Sequence, residues 1–136
     1  MINEKGLDDL LSLIPELEGY KGSFGEHDFR KEGKTLYMGA FIHSPLLDKI
    51  IFAIHESELR ITFDWPSWQD EAERICHEPG ELEKVDLETI RKLLTLHMRK
   101  ERFCEGHLAS VCESGLMLST LKRLKALRDK GAIEAV

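Results

Sequence analysis

The sequence has no apolar run approaching the ~20 residues that a membrane-spanning helix needs. It opens Met1-Ile2-Asn3-Glu4-Lys5-Gly6-Leu7-Asp8-Asp9, acidic where a signal peptide would carry its basic region. Cysteine is scarce: Cys76, Cys104 and Cys112 are an odd number at no framework spacing, which excludes a disulfide scaffold. Reduced thiols and a cytoplasmic location are the expectation. Cys-x-x-Cys and His-Glu-x-x-His are both missing, so the common zinc signatures are absent. There are no repeats, no low-complexity tract and no linker-like stretch. A single domain over residues 1–136 is therefore expected, and no cofactor.

An excess of positive charge is lacking too. The net charge is −6, which argues against broad nucleic-acid binding. The charge is unevenly spread. Residues 1–90 hold 9 Lys/Arg against 20 Asp/Glu, and residues 91–136 hold 10 against 5. Either the halves fold against each other and partly cancel, or the basic C-terminal segment meets an anionic partner. The apolar share of 42% and the charged share of 32% are those of a soluble globular chain, long enough to bury a core without staples.

Periodicity predicts a first helix over residues 7–19, carried by Leu7, Leu10, Leu11, Ile14 and Leu17, with Asp8 as N-cap. Pro15 should kink or end it. Residues 20–34 read as glycine-rich loop with a short strand near Phe24. Thr35–Ile42 is the best strand, and Arg60–Phe63 is a further candidate. Ser44-Pro45 announces a helix with Leu47, Ile50, Ile51 and Ile54 inside. Another helix follows the Trp65–Gln69 turn, with Ser67 and Asp70 in a loose cap. Asp86 caps a helix to about Arg102, and a long helix follows to about Lys130 with Gly115 inside it. The fold class expected is α+β, helix-dominated, with about five helices and a two- or three-stranded antiparallel sheet.

The segment Asp86–Leu108 concentrates the chain's candidate chemistry. Arg99 and Arg102, at i and i+3, suit a carboxylate or phosphate, and Gly106 allows close approach of a ligand or another backbone. With Glu105, His107, Asp64 and Trp65 they form the candidate binding site. The competing reading is an internal network in which Arg99 or Arg102 pairs with Glu101, Glu105 or Asp64. His97, Glu101, Cys104 and His107 would face a metal only if the helix ran on through residues 103–107. Cys104 with His97 or His107, oriented by Glu105, would fit a thiol enzyme. Glycine at 106 predicts a helix break there instead. Trp65 and Trp68 read mainly as core, and His27, His43, His55 and His77 as surface or strand-end residues.

Together, Asp64-Trp65-Pro66-x-Trp68, Asp86-Leu87-Glu88-Thr89, Arg99-x-x-Arg102-Phe103-Cys104-Glu105-Gly106-His107-Leu108, Glu113-Ser114-Gly115 and Leu121-x-Arg123-Leu124 carry a resemblance. Over roughly residues 23–128 the chain resembles a family of small bacterial and archaeal proteins classed only as a domain of unknown function. The resemblance implies a self-contained domain and brings no activity, substrate or cofactor. The residues themselves point first to a binding or interaction module, a homodimer, with a small anionic ligand or a protein as partner. A small thiol- or metal-assisted hydrolase is the alternative, and a purely structural domain the third reading.

Overall fold

A computed structural model describes residues 1–135. Among these residues the chain forms seven α-helices and one two-stranded antiparallel sheet. The helices are α1 Glu4–Leu11, α2 Ile14–Gly19, α3 Pro45–Ser57, α4 Gln69–His77, α5 Leu87–Phe103, α6 His107–Glu113 and α7 Leu116–Asp129. The strands are β1 Gly25–Glu32 and β2 Thr35–His43. The expectation of a helix-dominated α+β chain with a small antiparallel sheet holds, but the count of about five helices is corrected upward. Two predicted helices are each split. Pro15 starts α2 instead of ending one long first helix, because proline fits a first turn and not an interior. Gly115 stands at φ +87 between α6 and α7, so it separates two helices and does not sit within one.

Local signals account for most of the other boundaries. Ser44 Oγ accepts from Leu47 N, and Pro45 opens α3. Asp86 accepts from Thr89 N to cap α5. Asn3, and not Asp8, caps α1 by accepting from Gly6 N. No side chain caps α4; Ser67 instead donates to the Asp64 carbonyl. The break predicted at residues 103–107 is present: α5 ends at Phe103, Gly106 takes φ +90, and α6 begins at His107.

Two strand expectations are corrected. Residues 20–34 are not mainly loop, since β1 fills most of that stretch and pairs with β2 through the two-residue turn Gly33-Lys34. Gly33 supplies the positive φ such a turn requires. Arg60–Phe63 is no strand: it pairs with no other strand, and its Ile61 N–H is taken by the Thr95 side chain of α5.

The core is one cluster, to which α5 contributes Ile90, Leu93, Leu94 and Leu96 and in which α7 packs against α1, α2, α5 and α6. Helices α1 and α3 pack on each other and join the cluster through α7 and α6. Gly6 lets α1 lie directly against the end of α3, where a Cβ would overlap the backbone of Glu56 and Ser57. The acidic first half and basic second half do cancel locally. Arg128 pairs with Asp8, and Lys122 with Glu18 at 3.2 Å. Among the described residues no helix is long and apolar enough to cross a membrane.

Candidate functional site

Helix α5 carries a polar stripe beside its buried apolar residues. Arg91, Thr95, Arg99 and Arg102 are spaced four, four and three apart, so they share one side of the helix. The segment Glu58–Thr62 runs along that stripe. Arg91 donates from Nε to the Leu59 carbonyl at 2.9 Å and from its terminal nitrogen to the Glu58 carbonyl at 3.0 Å. One turn on, Thr95 Oγ1 accepts from Ile61 N at 2.9 Å and donates to the Arg91 carbonyl. These bonds clamp the segment, and the next turn opens into a concavity of about 220 Å³ lined by Arg60, Ile61, Thr62, Thr95 and Arg99.

The electrostatics of this pocket are one-sided. Two guanidinium groups line it and no carboxylate does. Arg60 donates to His55 Nδ1 at 2.9 Å; since arginine has only donors, that ring nitrogen is an unprotonated acceptor and neutralises nothing. Arg99 is half-buried and makes no hydrogen bond or ion pair among the described residues. The network expected between Arg99 or Arg102 and Asp64, Glu101 or Glu105 is not formed. Arg102 and Asp64 are both exposed, and Glu101 is engaged elsewhere. Thus the structure joins Arg99 to Arg60 and not to Arg102. Trp65 lies beside Phe103, with ring centroids 6.0 Å apart.

A larger concavity, about 680 Å³, lies between the α1–α2 corner and α7. Its Arg128 and Lys122 are matched by Asp8 and Glu18 on the opposite wall, and Lys125 bonds Asp129 at 2.9 Å. Size favours this groove, but unmatched charge favours the smaller pocket, and charge is the better guide to an anion site.

At the α5–α6 corner, the Glu101 carboxylate accepts from Gly106 N at 3.1 Å and Leu108 N at 2.8 Å, and it faces His43 Nε2 at 3.3 Å. It therefore holds two free backbone donors at the start of α6 and ties the base of the hairpin to them. What approaches Gly106 is the Phe41 ring, a side chain and not the ligand or backbone expected, 3.3 Å from where a Cβ would stand. Glu105 is exposed and lies outside α6.

His97 and His107 are brought together, with Nδ1 of the first 3.1 Å from Nε2 of the second. Burial, then the neighbouring His107 and Lys100, pushes His97 down to about 3. Burial also lowers His107. One neutral ring donates and the other accepts, and His97 Nε2 is left buried without a partner. The pair borders a cavity of about 80 Å³ with Cys76 and Lys100. Cys104 is exposed and does not line it. A base held near 3 is poorly matched to proton transfer at neutral pH, and burial raises the Cys76 thiol, so it stays protonated. Among the described residues no group of three or more His, Cys, Asp or Glu side chains is placed to hold a metal ion.

Sequence reasoning missed Arg60 and Thr62 because their approach to Arg99 is made by a loop, and loops leave no periodicity; Thr95 lies one turn before Arg99 on α5, where the helical spacing was the available signal. Two further contacts brace the surroundings of the site. Arg123 donates to the Val85 carbonyl at 2.9 Å, and Lys92 sits 5.7 Å from the centres of the Phe63 and Trp68 rings. Comparison with curated proteins and with solved structures gives no match. A family model does match, over residues 2–130, and the chain belongs to that family, the Family of unknown function (DUF6508).

Proposed function

We propose that the chain is a binding module that accepts a small oxyanion, a carboxylate or a phosphate, in the pocket of Arg60, Thr62 and Arg99. The observation that carries this reading is the pairing of two guanidinium groups in one concavity without an acid in its lining. Two like charges side by side repel, and an anion between them removes that cost. Guanidinium forks also match the two-oxygen edge of a carboxylate or phosphate. Arg102, exposed on the same stripe, adds positive charge on the approach. Two such charge-assisted contacts, set against the cost of association, hold a bare anion only weakly. A ligand that also covers Ile61 binds more tightly.

Native mass spectrometry of the untagged protein, gently desalted at neutral pH, tests the proposal. The expected result is an anionic adduct, co-purified or formed with added phosphate, that disappears in Arg99→Ala. Spectra of the bare chain that added phosphate leaves unchanged would count against it.

A further inference from the structure

The β1–β2 hairpin leaves the helical body after its first few residues and carries its large side chains uncovered. Phe29, Leu36, Tyr37, Met38 and Ile42 are 46–64% exposed. The pairing register explains which residues share a face. His27 pairs with Phe41 and Phe29 with Met38, so β2 carries one extra residue at Gly39-Ala40. One face therefore runs from His43, Phe41 and His27 at the base to Phe29, Met38 and Leu36 at the tip. Its inner half is covered: Phe41 lies on Gly106 and His43 on Glu101. Its outer half is not.

The two strands differ in how their edges are protected. β1 carries Glu26, Asp28, Arg30, Lys31 and Glu32, charges of the kind that keep an edge from pairing with another chain. β2, Thr35-Leu36-Tyr37-Met38-Gly39-Ala40-Phe41-Ile42-His43, has no Asp, Glu, Lys, Arg or Pro. Its outer edge is long, apolar and unguarded. An isolated two-stranded hairpin is marginal in water, and a third or fourth strand stabilises it.

We infer that β2 pairs with β2 of a second copy of this chain, antiparallel across a two-fold axis through Thr35–Met38, to give a four-stranded sheet. Self-pairing suits this strand because no like charges are brought opposite each other. Leu36, Tyr37 and Met38 meet their symmetry mates. At roughly 100 Å² for each of Leu36, Tyr37 and Met38, two copies together cover about 600 Å² before the edge backbone is added, an area at the small end of the range, typical of weak, reversible self-association. The contact is isologous, so it closes at two chains and leaves the β1 edges as the guarded rims. It also places the interface on the hairpin and not on the basic C-terminal helices, and it is independent of the anion pocket.

Analytical ultracentrifugation of the full chain at micromolar concentration tests this. The expected mass is twice 15.6 kDa for the wild type and 15.6 kDa for L36E/M38E with unchanged helical circular dichroism. A charge reversal on the C-terminal helix, K122E/K125E, leaves the dimer intact. If L36E/M38E loses its helical signal, the single variant M38K replaces it with the same expected result. A wild-type monomer, a dimer that survives the β2 variants, or a dimer lost in K122E/K125E would each overturn the inference.

Discussion

Replacing Glu101 by Ala isolates the α5–α6 corner. The carboxylate is 15% exposed, so solvent screens it little, and it accepts two backbone N–H groups, from Gly106 and Leu108. Hydrogen bonds to a charged acceptor contribute about 1.5–3 kcal/mol each, and deletion leaves both donors without a partner. Taking the lower figure for each, Glu101→Ala costs about 3 kcal/mol. For a chain of this length that corresponds to a melting temperature lower by about 10 °C. Glu101→Gln keeps the shape and one acceptor oxygen, so its cost is about half. The assay is urea unfolding followed by far-UV circular dichroism at pH 7, with ΔG extrapolated to water. A loss below about 1 kcal/mol for the alanine variant would refute the clamp. Loosening of the hairpin base should accompany the loss, because His43 reaches the same carboxylate.

Three further outcomes follow from the same geometry. His97 titrates near 3 when folded against about 6.5 when unfolded, so the unfolded chain binds the extra proton below pH 6.5 and folding is weakened as pH falls. Stability should drop by about 1.4 kcal/mol per pH unit below pH 6 from this residue, be fully present above pH 7, and lose much of that slope in His97→Phe, as read by urea midpoints across pH. Iodoacetamide should modify exposed Cys104 first and half-buried Cys76 slowly. Cys112, pushed up to about 12 by burial, should react only on unfolding, and mass spectrometry of peptides gives the order. Gly6→Ala should destabilise by about 2–3 kcal/mol through overlap with the α3 backbone. Gly19→Ala, with open space around it, should be neutral or stabilising by up to about 1 kcal/mol in the same unfolding assay.

Much of the fold is legible in local chemistry. Ser44-Pro45 and Asp86 mark helix starts because a side-chain oxygen three residues ahead of a free N–H satisfies it wherever the chain goes next. Glycine at 106 marks a break for the same local reason. Other features are set by partners distant in sequence. β1 is not readable as a strand because most of its residues are exposed on both faces, so no alternation of apolar and polar positions survives. Arg60–Phe63 has strand-forming residues, yet Thr95 takes the Ile61 N–H from across the fold, and Arg91 holds the carbonyls of Glu58 and Leu59 just before it. Arg99 stands out by residue type and spacing, whereas the guanidinium that shares its concavity, Arg60, lies 39 positions earlier on a segment that only tertiary packing brings near. Likewise His97 and His107 could be placed together only once the break at Gly106 turned the chain back.

The central claim, that Arg60 and Arg99 form a receptor for a small oxyanion, is tested most directly by isothermal titration calorimetry at low ionic strength. Inorganic phosphate and a dicarboxylate are titrated into the wild type and into Arg60→Ala/Arg99→Ala. The account predicts saturable one-site binding to the wild type, weakened by added salt and lost in the double variant, with unchanged circular dichroism. No heat above dilution for either anion, or equal binding by both proteins, would contradict it.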